Sequence, residues 1–376
     1  MTFQTEPWGI PVNARHTLMT NRFMALVLLA SALLLSGCGL SVASDPRGFL
    51  GGTGFITVFR DGSPSGAVNI PLASSQYIVN MAFWQQPSVA ADSVDLCPGS
   101  NVCQKLFFAS ERDKILQVID APAPGSTGTP AIRQIVLGKI ISDVATSRTG
   151  DGGFIFASHE YDGGISVVYP GSEKVYKFWS SPDVPQPTEL TVHKDWGYVL
   201  SGSTLARFRI DQTSADTMDL GGNPMHLSDG IGGVVGVTDF TANLVHLVTT
   251  VGVWGDSTVT VPSPARIILS HYQNLAFVGS VPDTANGVTP PGSIYVIDTY
   301  AGTVVKTIPV GHCISSLKIF LQTNSSEFDL DPTILDESLI VANQCDSTFT
   351  KIDLGTLEVV GTYPSLGQAR TGAVEP

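Results

Sequence analysis

Residues 292–311 read GSIYVIDTYAGTVVKTIPVG. Ile294 and Val296 alternate with polar neighbours, a polar turn follows, and Val304, Ile308 and Val310 resume the apolar pattern. A period of two marks a strand with one buried face, and the central turn makes the pair an antiparallel hairpin. The unit recurs as FITVFRDGSPSGAVNIPL (55–72), KILQVIDAPAP (114–124), GISVVYPGSEKVYKFW (164–179), TLARFRIDQTSADTMDLG (204–221), NLVHLVTTVGVWGDSTVTV (243–261) and TFTKIDLGTLEVVGTYPSLG (348–367). The first strands start near Ile56, Ile115, Ile165, Leu205, Leu244, Ile294 and Phe349, at spacings of 39 to 59 residues. A further apolar strand precedes each hairpin, as in LFFAS (106–110), FIFAS (154–158), GYVLSG (197–202), LAFVGS (275–280) and LIVAN (339–343).

Repeats of about 40–45 residues with several short strands match the four-stranded blade of a propeller, the longer spacings carrying loop insertions. The chain is therefore expected to be all-β: a seven-bladed β-propeller of four-stranded antiparallel blades over residues 48–376. The last hairpin has little chain after it, so the N-terminal strand GFLGG (48–52) is expected to close the ring, because an open ring leaves sheet edges exposed.

The stretch YVIDTYAGTVVKTIPVG resembles the repeats of the YVTN/NHL-like seven-bladed propeller group. The resemblance extends over residues 48–376 and is strongest at 292–311. The G-x-x-P turn of that group is matched at Gly221-Gly222-Asn223-Pro224 and altered at Gly311-His312-Cys313-Ile314. It implies the fold and leaves function open, since propellers serve as enzymes, carriers and docking platforms.

Aligning the strands after these turns places Met81, Val144, Leu190, Leu227, Ile267, Leu317 and Ala373 at one apolar position. The column just before it holds Asn80, Asp143, Glu189, His226, Arg266, Ser316 and Gly372. Innermost strands line a propeller's channel, so these side chains are expected to converge on it, acidic on one arc and basic on the other. Channel-lining positions are polar simply because they face water. As a site, Asn80, Asp143 and Glu189 would offer oxygens to Ca²⁺. His226 would act as a base and Arg266 would stabilise an oxyanion. Some propeller lactonases use their channel in this way, an analogy of fold only.

The N-terminus reads as an export signal. Residues 23–35, FMALVLLASALLL, are uncharged, follow Arg15, His16 and Arg22, and number thirteen. That is short of the ~20 residues a membrane span needs and fits the core of a secretory signal. Leu35-Ser36-Gly37-Cys38 resembles the lipobox of bacterial lipoproteins. The resemblance implies a signal peptide at 1–37, a lipid anchor of the palmitate kind on Cys38, and a tether at 38–47. Met19 and Met24 are alternative starts. Gly39 stands where aspartate retains many lipoproteins at the inner membrane, which points to the outer membrane in a Gram-negative host.

Four further cysteines suit two disulfides in an exported chain. Three connectivities are open. Cys97 with Cys103 would staple a short loop, and Cys313 with Cys345 would span a longer one. The formal net charge is −13 and no basic run occurs, which argues against nucleic acid. No P-loop, GxSxG, HExxH, CxxCH or dinucleotide fingerprint is present. The expected function is a non-enzymatic, lipid-anchored envelope propeller that binds or scaffolds another envelope protein. The alternative is a channel-site hydrolase of the lactonase kind, with Ca²⁺ as its cofactor.

Overall fold

A computed structural model describes residues 47–52, 55–60, 63–72, 78–85, 104–110, 113–120, 130–147, 153–193, 196–270, 272–282, 290–324, 333–365, 368 and 371–374. The signal segment, Cys38 and its tether, Cys97 and Cys103 lie outside them.

The described residues form seven four-stranded antiparallel sheets arranged as the blades of a β-propeller. In chain order and from the channel outward, the second blade is Ile78–Gln85, Gln104–Ser110, Ile115–Asp120 and Arg133–Val136. The third is Asp143–Thr146, Ile155–Ser158, Ile165–Tyr169 and Lys174–Trp179. The fourth is Leu190–His193, Trp196–Ser201, Thr204–Phe208 and Ala215–Asp219. The fifth is Pro224–Asp229, Val234–Asp239, Leu244–Thr249 and Gly255–Thr260. The sixth is Pro264–Leu269, Leu275–Ser280, Ser293–Asp298 and Thr303–Pro309. The seventh is Ile314–Asn324, Thr333–Asn343, Thr348–Asp353 and Glu358–Pro364.

The first blade joins the two ends of the described chain. Arg47–Gly51, Phe55–Arg60 and Ser63–Pro71 are its outer strands, and Thr371–Val374 is its innermost. Gly48 pairs with Val374 and Gly51 with Thr371. This differs from the expected closure by an N-terminal strand. The seventh sheet is complete from its own consecutive segment, and the strand that completes the first sheet is the C-terminal one. The physical need is the same, because pairing Phe49 with Ala373 covers the edge that Arg47–Gly51 would otherwise leave open.

Burial explains the strand order. The second strand of each blade is packed on both faces, so its run is continuously apolar rather than alternating, as in Leu275–Ser280. Outermost strands meet solvent and carry polar residues, as in Ala215–Asp219. The core is divided among the spaces between blades. Leu50, Phe320, Ile340 and Phe349 fill the space between the seventh and first blades. Phe49, Ile56, Ile78, Met81, Leu106 and Phe108 fill the next. Each fully buried Phe, Leu or Ile contributes about 1.5–3 kcal/mol by leaving water.

In the turn Gly221-Gly222-Asn223-Pro224, the second residue has to be glycine. The Asp239 carboxylate accepts the N–H groups of Asn223 at 2.8 Å and Ala242 at 2.9 Å, clasping two turns together. Gly222 has φ +59°, and a Cβ there would stand 1.9 Å from Asp239 Oδ2. In the altered turn of the seventh blade, Asp346 takes the equivalent part by accepting the His312 N–H at 2.7 Å. Cys313 and Cys345 reinforce it as a disulfide with Cα atoms 5.4 Å apart. Among the described residues no helix is long and apolar enough to cross a membrane.

Candidate channel site

The aligned column falls within the first three residues of the innermost strands, with Glu189 one residue before its own. A β-bulge recurs there. Pairing shifts between Ile78 and Asn80, Pro224 and His226, Pro264 and Arg266, and Ile314 and Ser316. In the fourth blade Thr188 and Glu189 both bond Leu200, the same two-against-one arrangement. A bulge re-aims the side chain that follows it. The column is thus a repeated backbone feature.

Four of its members reach in sequence around one arc. Asp143 Oδ2 on the third blade accepts the backbone N–H of Leu190 on the fourth at 2.8 Å, and its Oδ1 accepts the Val144 N–H at 2.8 Å. His226 on the fifth blade donates from Nδ1 to Glu189 Oε2 on the fourth at 2.6 Å. The Arg266 guanidinium of the sixth blade lies against the same ring, in contact with both of its nitrogens. Arg266 Nε donates to the Ser315 carbonyl of the seventh at 2.7 Å. Five successive blades are linked in this way.

Burial shapes the charges. Asp143 is 4% exposed. Burial, then the neighbouring Glu189 charge, pushes its carboxyl up to about 8, against the opposing pull of the two backbone donors and of Lys318. Burial also lowers Arg266, while Glu189 and Asp143 act to raise it. A guanidinium starts so high that it stays charged.

Asn80, Ser316 and Gly372 complete the column. Asn80 turns its Oδ1 to the Met81 N–H at 2.7 Å, repeating on the second blade what Asp143 does on the third. Ser316 is buried on the seventh blade. Gly372 lies on the closing strand opposite Leu50. Lys318 was not in the column, yet its charge acts on Asp143. It lies two residues past Ser316 and so on the same strand face, a signal that the strand period carries. A second level lies where the innermost strands end. There Thr191 donates to Asp229 at 2.5 Å, and His193 Nδ1 lies 3.1 Å from the other Asp229 oxygen. Ser270 and Gln273 likewise donate to buried Glu337 at 3.0 and 2.8 Å.

Coordination of Ca²⁺ takes six to eight oxygens. Asn80 and Asp143 already accept backbone amides through these oxygens, and Glu189 accepts from His226 through one of its two. Among the described residues no group of three or more His, Cys, Asp or Glu is placed to hold a metal ion. What the arrangement does as it stands is join neighbouring blades.

No protein-family model matches the chain, and no curated protein matches it. Solved structures do. A functionally unknown protein from Desulfotomaculum acetoxidans superimposes with a TM-score of 0.59 at 13% identity, over 88% of this chain and 98% of that one. A chain of the mitotic checkpoint complex gives 0.55 at 13% identity, over 72% and 78%. At such identities the likeness is one of fold alone.

Proposed function

We propose that this protein is a lipid-anchored propeller of the bacterial envelope that serves as a binding platform for another envelope protein. The observation that carries the reading is the relay from Asp143 to Ser315. Its acidic and basic groups engage one another and the backbone, which suits a rigid disc whose surfaces do the binding. The lipobox-like LSGC segment supports the anchor, and Gly39 supports the outer membrane. The test is recovery of the full chain from native membranes. Metabolic palmitate labelling that is lost in Cys38→Ala, together with a stoichiometric co-purifying protein, is the expected result. A chain that purifies alone from gently solubilised membranes contradicts the platform.

One observation favours a second reading, the lactonase-like hydrolase. Asp143 is a buried acid held up to about 8 beside a charged neighbour, and such groups cluster at catalytic sites. Protonated at neutral pH, it would serve as a proton donor to a leaving oxygen. Lactone hydrolysis that is abolished by Asp143→Asn, and Ca²⁺ binding lost in Asp143→Ala with Glu189→Ala, would support this reading. Unchanged Ca²⁺ binding in that pair removes its calcium form.

A further inference from the structure

The two faces of the disc differ in apolar exposure. All innermost strands begin at one face and end at the other, as the Glu189–His226 contact at their starts and the His193–Asp229 contact at their ends show. On the face where they end, the turn joining Leu244–Thr249 to Gly255–Thr260 presents Val251 and Val253, 67% and 94% exposed. Trp254 completes that turn, with the Arg207 guanidinium 5.2 Å from its ring. The sixth blade adds Tyr300, 93% exposed, and Tyr272 on the same face. The third adds Tyr176, stacked on Phe154 at 5.2 Å. Among the described residues the opposite face exposes Val136, Tyr161, Met225 and Phe178, without a turn as apolar as Val251–Trp254.

The chain enters on the apolar face. Gly48 pairs with Val374, the last residue of an innermost strand, so Arg47 stands at the face where those strands end. Arg47 is nine steps along the chain from Cys38, with residues 39–46 between them. At ~3.5 Å per residue those steps span at most roughly 30 Å.

We infer that the face bearing Val251, Val253, Trp254 and Tyr300 rests on the lipid bilayer, with the Val251–Trp254 turn dipping into the headgroup region. This rests on the lipid-anchor reading and deepens it. A short tether confines the disc near the membrane, and the face nearest the anchor is the one rich in exposed Val, Trp and Tyr beside an arginine. Aromatic rings with a basic neighbour favour the interface, and an apolar contact adds to an acyl anchor as a second membrane signal. A protein partner then meets the opposite face, where the Cys313–Cys345 disulfide and the Asp346–His312 clasp lie.

The test uses the full acylated chain in vesicles of phosphatidylethanolamine and phosphatidylglycerol that carry brominated acyl chains as quenchers. A fluorophore is placed at Val253→Cys or, on the opposite face, at Tyr161→Cys. Several-fold stronger quenching at position 253 than at 161 is expected. Equal or reversed quenching, with the acyl group found on the Cys38 peptide by mass spectrometry, overturns the orientation and leaves the anchor standing. A Cys38 peptide without an acyl group overturns the anchor, and the orientation with it. A photocrosslinker at position 253 that captures a protein instead of lipid in native membranes also overturns the orientation.

Discussion

His226 donates to Glu189 across the boundary between the fifth and fourth blades at 2.6 Å, and its ring also meets the Arg266 guanidinium of the sixth. One imidazole therefore holds three blades in register.

Asp143 makes the stability depend on pH. Its folded value, about 8, lies above its ordinary 3.8. The folded state keeps a proton that the unfolded chain releases, so this stabilisation is complete below about 3.8 and is lost as pH rises through about 8. Asp143→Asn removes the titration and leaves one backbone N–H without its acceptor, at about 1 kcal/mol. Thermal unfolding from pH 5 to 9 checks this: the variant is the less stable at pH 5, and the gap narrows or reverses by pH 9.

His159 acts in the opposite sense. It is fully buried, with Nδ1 donating to the Ile140 carbonyl at 2.9 Å and Nε2 accepting from Ser166 at 2.7 Å. Burial lowers it below 6.5, so as pH falls through and below 6.5 the unfolded chain takes up a proton before the folded one does. Its contribution is present above that range and declines in acid. His159→Gln should flatten the loss of stability between pH 7 and pH 5 in urea titrations. An unchanged slope would assign the acid sensitivity elsewhere.

How much of this is legible in the sequence follows from which features have a period. Blade number is legible because the hairpin of residues 292–311 recurs with the same alternation. The column is legible because each member precedes an apolar anchor such as Leu190 or Ile267. The bulges between Pro224 and His226 or Pro264 and Arg266 are not, since two residues opposing one leave no mark on composition. Asp143 could be read as a ligand, but not that both its oxygens would meet backbone amides, because Leu190 is distant in sequence. Gly372 and Ala373 take their places in the aligned columns, but which blade their strand completes is set by its pairing with Gly48–Gly51, which is distant in sequence.

The disulfide should matter to stability through the turn it fastens. It closes a separation of 32 residues and lies directly before Ile314, the start of the innermost strand that receives Arg266. Replacing both Cys313 and Cys345 with Ala should cost about 2–4 kcal/mol. Denaturant midpoints of the double variant and the wild type measure it, and equal midpoints would make the disulfide incidental.

Gly222→Ala tests the clasped turn. A Cβ would meet Asp239 Oδ2 at a positive φ, and the loss should exceed the ~1 kcal/mol typical of strain at such a position. Asp239→Ala should cost a similar amount by releasing two turns. Combining the substitutions should cost less than their sum, since each breaks the same clasp.

The relay as a clamp between blades is tested most directly by a double-mutant cycle on Glu189 and His226, read by urea unfolding at neutral pH. Each single alanine substitution should cost about 1–3 kcal/mol, because it leaves a half-buried partner without its hydrogen bond. The double variant should fall short of the sum by about 1 kcal/mol or more. Strictly additive losses, or singles as stable as the wild type, would contradict the clamp and return these residues to the hydrolytic reading.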